Sequence, residues 1–109
     1  MAEKKPIFGQ DRNGIAVPAV APTTDVVVDA LAAAHSEVTI PAGYTHVEVA
    51  STGNFYFEFG DSTATATTSS SLFTAGSKVY RVPDGATKLS HLEADSASDG
   101  LPITVTGVL

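Results

Sequence analysis

Ile40–Val47, which reads IPAGYTHV, is echoed 42 residues later by Val82–Leu89, which reads VPDGATKL. Each copy is an apolar run, a Pro-x-Gly turn and a second alternating run, a pattern typical of two strands joined by a tight connection. Proline fixes φ near the entry of the turn, and glycine supplies the positive φ that reverses the chain. The repeat therefore predicts two similar β-units, each formed by a hairpin.

Alternation on both sides of the turns sets the strands of these hairpins. Val38 and Ile40 share one face of the first strand, and Tyr80 and Val82 occupy the corresponding places in the second unit. The outgoing strand of the second unit breaks the alternation, because Leu92 lies on the face opposite Leu89 and His91. A bulge or a strand with two apolar faces would explain that break.

Two further strands are predicted outside the repeats. Phe55, Phe57 and Phe59 share one face of a strand and form a stripe of core aromatics, and residues 101–109 alternate to the end of the sequence.

Two other stretches are compatible with more than one type of secondary structure. Residues 25–35 combine three consecutive valines with a run of alanines, and we favour a strand up to Leu31 over a short helix. Residues 62–71 contain only small side chains and fit either an edge strand or a loop.

Composition restricts the class of protein. The 109 residues fit one domain, and the absence of cysteine excludes disulfides and thiolate metal sites. A formal net charge of −6 disfavours nucleic acid as a partner, because phosphate binding needs clustered basic residues. No signal peptide or membrane-spanning run is recognisable, so we expect a soluble protein with no membrane partner. Hydrophobic residues make up 43% and charged residues only 17%, which suggests burial between subunits.

Residues 1–24 contain three prolines and two glycines, and their apolar residues follow no regular period. We therefore predict an extended N-terminal arm over residues 1–24 and a domain over residues 25–109. The scattered apolar side chains favour docking against a neighbour over a disordered tail, which is the alternative. The residues expected to dock are Ile7, Phe8, Ile15 and Val17. For the domain, seven or eight short strands predict an all-β, antiparallel β-sandwich, and the duplicated plan suits a jelly roll.

Residues that could carry chemistry are few. His46, Glu48 and His91 would bind a metal only if their strands were adjacent, and Glu48 with Glu58 would form an acid–base pair only if they faced each other. Asp61, Asp95 and Asp99 fall in turns, where a role in turn formation is more common than calcium binding. Neither a nucleophile motif nor a phosphate-binding loop is present, so we predict no enzyme activity, no catalytic residue and no cofactor.

The tyrosines Tyr44, Tyr56 and Tyr80 are candidates for a binding surface. Tyr56 projects from the face opposite the phenylalanine stripe, so it could stack on a sugar or contact another subunit. We select Tyr56, together with the four residues of the arm, as the partner-binding residues.

Three segments of the sequence carry a resemblance to small structural proteins of tailed bacteriophages: Ile40–Val49, Gly53–Gly60 and Val79–Thr87. They combine a Pro-x-Gly-x-Thr strand pair, an aromatic strand ending in Phe-Gly, and a second pair reading Arg-Val-Pro-x-Gly-Ala-Thr. The resemblance covers about residues 35–108 and assigns no catalytic residue.

The resemblance implies a β-sandwich or jelly roll that is made in the host cytoplasm and binds the outside of a capsid as a decoration or cement protein. Its partners would be the major capsid protein and further copies of itself, as a homodimer or homotrimer. The alternative is a glycan-binding module of a tail or head fibre, with its site at Tyr56, Tyr44 and the Ser/Thr-rich stretch. A third hypothesis is a small cupin-like metalloenzyme with the same fold.

Overall fold

The structure is a computed structural model that describes residues 7–10, 16–19 and 21–109, with backbone placement alone for the first two ranges. The described residues form ten strands and one turn of 3-10 helix, with no α-helix. The strands are β1 (Ile7–Gln10), β2 (Ala16–Ala19), β3 (Pro22–Ala30), β4 (Ser36–Thr39), β5 (His46–Ser51), β6 (Phe55–Gly60), β7 (Ser71–Phe73), β8 (Gly76–Arg81), β9 (Lys88–Glu93) and β10 (Pro102–Val108), and the 3-10 turn is Ser96–Ser98.

Eight of these strands form two four-stranded antiparallel sheets. Sheet 1 has the order β3-β10-β5-β8 and sheet 2 has the order β4-β9-β6-β7. Side chains on the inward faces of both sheets share one hydrophobic core, in which Val47 and Ile103 from sheet 1 meet Phe55 and Leu89 from sheet 2. The all-β class predicted from the sequence is confirmed.

The prediction of two hairpins is wrong. β4 and β5 belong to different sheets, and so do β8 and β9, so each Pro-x-Gly segment is a corner that passes from one sheet to the other. Six residues separate the strands at each corner, which exceeds the two to five of a usual hairpin loop. The first residue of the first corner, Ile40, is buried in the shared core, so the chain crosses the edge of the core at this point.

The prediction of two similar β-units is consistent with the way the repeats pair. The first strand of each repeat pairs with the second strand of the other: β4 with β9, and β8 with β5. The registers correspond, because Val38 lies opposite Leu89 and its counterpart Tyr80 lies opposite Val47. The two repeats therefore interlock across both sheets with an approximate two-fold relation.

The structure decides three segments that the sequence pattern left open. β3 confirms the predicted strand before Leu31. Residues 61–70 form a loop, and its one fully covered side chain is Ala66, 2% exposed, whose N–H donates to Oγ of Ser90 at 2.8 Å. β9 keeps a constant register with both neighbours, so it is a strand with two apolar faces and contains no bulge.

The N-terminal segment contains strand structure that its sequence pattern did not indicate. β1 and β2 pair antiparallel, with Phe8 opposite Pro18, and β3 starts at Pro22, inside the range predicted as an arm. Glycine and proline within these strands conceal the alternation that would otherwise predict them. The division of the chain at residue 24 stays a prediction.

Candidate functional site

The structure describes the predicted partner-binding residues unequally. Ile7 and Phe8 lie in β1 and Val17 lies in β2, where only the backbone is described. Ile15 lies outside the described residues. Tyr56 is in β6, half-buried, and its surroundings define a surface.

Tyr56 is the centre of an apolar row on the outer face of sheet 2. It lies directly opposite Leu72 of β7 on one side and Leu92 of β9 on the other. Its neighbours Phe55 and Phe57 point into the core, so Tyr56 points outward because side chains alternate along a strand. Leu72 is 52% exposed, and Leu92 is half-buried. We call Leu72, Tyr56 and Leu92 the outer row.

A second group of exposed apolar side chains lies on the outer face of sheet 1. Val28 is 64% exposed and Val26 46%, both on the edge strand β3, and Val79 on β8 is 41% exposed. Between these strands Thr104 and Ala50 line a shallow depression, and the half-buried side chain of Glu48 lies directly opposite Val79. We call Val26, Val28 and Val79, with the residues between them, the valine face. It lies on the side of the shared core opposite the outer row.

A groove of about 590 Å³ opens at the β6 edge of sheet 2. It exists because β7 is short: β7 pairs with Phe55–Phe57 only, and among the described strands none pairs with this side of β6 beyond Phe57. The groove is lined by Phe57 and Phe59, by Glu58 between them, by Thr67, Ser69 and Ser70 of the loop, by Ser71 at the start of β7, and by Pro83 of the second corner.

The aromatic side of the groove belongs to a cluster that bridges the two sheets. The ring centroid of Phe57 lies 5.3 Å from that of Tyr80 in β8, and the Phe59 centroid lies 5.9 Å from it. Burial raises the pKa of Tyr80 above its ordinary value. The phenylalanines are half-buried, so the groove has a fixed aromatic floor, supported from behind by the core.

A polar contact at the edge of the core also joins the sheets, because the side chain of Asp29 is 32% exposed. His91 of β9 is 1% exposed, and its Nε2 lies 3.0 Å from Oδ2 of Asp29 in β3. The hydroxyl of Ser36 donates to the same carboxylate oxygen at 3.2 Å. Burial raises the pKa of Asp29, but hydrogen bonds from the Ala30 N–H and from His91 outweigh it, so the pKa lies below its ordinary value.

The other candidate chemical groups do not converge. His46 and Glu48 lie on the outer face of sheet 1, whereas His91 points into the core from sheet 2. Glu48 and Glu58 lie on opposite outer faces. Tyr44 is 7% exposed and its hydroxyl donates to Asp25, so it has no free ring face for a sugar. In the described part of the chain, no group of three or more His, Cys, Asp or Glu side chains could hold a metal ion.

Two of the three turn aspartates accept hydrogen bonds within their own turns, as predicted. Oδ1 of Asp61 accepts from the N–H and the hydroxyl of Thr63, and Asp95 caps the 3-10 turn by accepting from the N–H and hydroxyl of Ser98. These hydrogen bonds lower the pKa of both carboxyl groups. Asp99 instead lies beside Glu93, whose pKa is raised by burial first and then by the carboxylate of Asp99.

Two signals for the outer row were present in the sequence: the outward position of Tyr56 and the break in alternation at Leu92. The break in alternation at Leu92 marks the outward position that the outer row uses. The Ser/Thr-rich stretch was a candidate for a glycan site, but the groove itself could not be predicted, because it depends on β7 beginning only at Ser71. The Asp29–His91 contact depends on the order of strands in the two sheets.

Comparisons with known proteins identify no family or relative from which a function could be assigned. No protein-family model matches the chain, and neither a curated protein nor a solved structure matches it significantly. Among the described residues, no helix has the length and apolar character needed to cross a membrane.

Proposed function

We propose that this chain is a non-enzymatic structural protein of a tailed bacteriophage, which binds the outside of the capsid as a decoration or cement protein. The observation that carries the proposal is the presence of two apolar surfaces on opposite sides of one small domain. A protein that holds neighbouring capsid subunits together needs more than one contact surface, and the outer row and the valine face meet that need.

The order of the strands supports a β-sandwich of the jelly-roll type. Seven connections link β3 to β10, and only the connection between β6 and β7 stays within one sheet. A jelly roll has eight strands in two sheets, arranged as two Greek keys, and the class includes viral capsid domains. The two interlocked sequence repeats of this chain fit an arrangement of two Greek keys. This fold alone does not specify a function, so the proposal depends on the surfaces.

The outer surfaces have the composition of protein interfaces. Exposed aliphatic side chains grouped on one face are unusual in a monomer and mark contact sites, and a tyrosine within such a group is a frequent anchor. Leu72 and Val28 are each more than half exposed. Contact by these faces would also bury them between copies, which fits a homodimer or homotrimer.

The sheet edges are poorly suited to strand-to-strand association. Two of the four edge strands of sheets 1 and 2 are short, β7 with 3 residues and β4 with 4. The longer edge strands carry inward-pointing charges: Asp29 in β3, and Lys78 in β8, whose ammonium lies 5.4 Å from the centroid of Phe73. Such features block edge pairing and leave the faces for association.

Weak contacts are sufficient for this function. A capsid offers many equivalent sites, and a copy that contacts two subunits at once gains from the high local concentration of the second site. Each tenfold in affinity corresponds to about 1.4 kcal/mol of binding free energy. Burying one aliphatic side chain contributes a free energy of about that size, so a few such side chains at each joint are sufficient for attachment.

Co-sedimentation with expanded capsids that lack a decoration protein tests the proposal. The full-length chain, its mass first measured by light scattering, should bind such capsids saturably and at a fixed ratio to the major capsid protein. Leu72→Glu and Val28→Glu should each weaken binding at least tenfold, because both place a charge on an apolar contact. Ala97→Glu adds the same charge at an exposed position between the sheets' ends and is the control.

Two results would overturn the proposal. One is the absence of binding to capsids at any ratio. The other is binding that Leu72→Glu, Val28→Glu and Ala97→Glu leave equally intact, which would show that neither face takes part. Thermal unfolding of each variant separates lost binding from lost folding, and all three positions are exposed, so we expect folded proteins.

A further inference from the structure

We propose that the groove beside β6 is a binding site for a neutral saccharide, a function separate from attachment through the outer row and the valine face. Its size, about 590 Å³, falls within the range of sites that hold small ligands. The site combines an aromatic floor, a single carboxylate and a wall of hydroxyl groups.

The floor suits the apolar face of a sugar ring. Phe57 and Phe59 reach the groove from the core side, and their rings are held edge-to-face, with centroids 5.9 Å apart. Tyr80 supports both from the opposite sheet. Rings held in this way are ordered before a ligand arrives, which lowers the entropic cost of stacking.

The walls suit sugar hydroxyls. Glu58 is exposed at the rim, and a carboxylate accepts several hydrogen bonds of the stronger, charge-assisted kind. Opposite it, the loop holds its own shape: the N–H of Thr67 donates to Oγ of Ser70 at 3.0 Å, and the N–H of Ser69 donates to Oγ1 of Thr67 at 3.2 Å. The hydroxyls of Ser69 and Ser71 take no part in that network, so both can serve a ligand.

Charge and backbone geometry decide against other ligand classes. Glu58 and the net charge of −6 disfavour an anionic ligand, whether an acidic sugar or a phosphate. An extended peptide would add as a strand beside β6, but only Glu58–Gly60 offers a side that no described strand pairs with. Three residues are short for a strand, which usually has about five or six. A neutral saccharide fits the lining better than either.

The test uses the full-length chain on a printed array of neutral and acidic oligosaccharides, followed by NMR titration with maltotriose, cellotriose and chitotriose. We expect binding to neutral sugars only, with amide shifts concentrated at Glu58, Ser69 and Ser71. Glu58→Gln should weaken binding at least tenfold, because it replaces a charged acceptor with a neutral one. Glu48→Gln, on the outer face of the other sheet, is the matched control and should bind as the wild type does.

Several results would overturn this inference. They are the failure of every neutral saccharide to bind, equal affinity of Glu58→Gln and wild type, or amide shifts that map to the valine face. A short peptide that shifts the groove amides while all sugars stay silent would assign the groove to peptide and also overturn it. Capsid co-sedimentation of Glu58→Gln is expected to equal that of the wild type, so the two proposals can fail independently.

Discussion

His91 Nε2 lies 3.0 Å from Oδ2 of Asp29, and this contact connects β9 of sheet 2 to the edge strand β3 of sheet 1. A carboxylate can only accept, so Nε2 must carry the hydrogen. Nδ1 of the same ring is buried and has no partner among the described residues. Within the described ranges, Asp29 therefore supplies the one hydrogen bond that this buried ring makes.

Removing the carboxylate of Asp29 should destabilise the fold. Asp29→Ala leaves both ring nitrogens of His91 buried without partners, and we expect a loss of about 1–3 kcal/mol in the free energy of unfolding at pH 7. Asp29→Asn keeps an oxygen that can accept from Nε2, so its loss should be smaller. Urea unfolding measures both. Equal stability of Asp29→Ala and the wild type would contradict this account of the contact.

Acid should weaken the same contact. Because the pKa of Asp29 is lower in the folded chain than in the unfolded chain, the unfolded state binds a proton more readily as pH falls. The stabilisation is complete above the ordinary aspartate pKa of about 4 and is lost as pH falls through the folded value. The stability gap between wild type and Asp29→Asn should therefore close between about pH 5 and pH 2. A gap that stays constant over this range would refute the argument.

Glu93 should behave in the opposite sense. Its pKa is raised by burial and by the carboxylates of Asp99 and Asp95, and its Oε2 is buried with no hydrogen-bond partner in the described part of the chain. The raised pKa favours the protonated form, so the stabilisation present at low pH is lost as pH rises through the folded value. Glu93→Gln should accordingly raise the melting temperature at pH 7 but give little gain at pH 4.

Glu58→Gln is the comparison for this substitution, because Glu58 is an exposed carboxylate away from the cluster. It should leave the melting temperature nearly unchanged at both pH values. A drop in melting temperature for Glu93→Gln at pH 7 would mean that the ionised carboxylate stabilises the fold.

The corners show what a local pattern can and cannot predict. Alternation correctly placed the strands around Pro41 and Pro83, because a strand's inward face is recorded in its own residues. Pairing is not recorded locally. Ile40 N–H donates to the carbonyl of Thr87 at 2.9 Å, and Val82 N–H donates to the carbonyl of Thr45 at 2.7 Å, so each corner is completed by the other.

For the candidate surfaces too, the face on which a side chain lies could be predicted from the sequence, but its neighbours on other strands could not. The outward position of Tyr56 could be read from the phenylalanines on either side of it. Leu72 became its neighbour only through the register of β7, and the groove required β7 to begin at Ser71. Tyr44 looked like an available aromatic, yet the adjacent edge strand β3 covers it and supplies Asp25 as its partner.

Gly85, in the second corner, should tolerate substitution only at the cost of backbone strain. Its φ is +80°, and a Cβ added there would meet nothing within 4 Å. Gly85→Ala should therefore lower the free energy of unfolding by about 1–2 kcal/mol, the cost of a left-handed conformation for an L-residue. Gly85→Asn should cost less, since asparagine adopts this conformation more readily. If urea unfolding shows Gly85→Ala to be more stable than Gly85→Asn, this explanation is contradicted.

Gly107 should be limited by space rather than by backbone conformation. A Cβ at this position in β10 would lie 2.5 Å from Cε2 of Tyr44, a ring that is buried and whose hydroxyl donates to Asp25. Gly107→Ala should thus cost about 1–3 kcal/mol, the usual range for overpacking. In a Tyr44→Leu background the ring is absent, so the same substitution should cost much less. A double-mutant cycle by urea unfolding measures this coupling, which we expect to exceed about 0.5 kcal/mol. Additive effects of the two substitutions would show that the ring moves aside and that the close approach of β10 to the first corner does not depend on glycine.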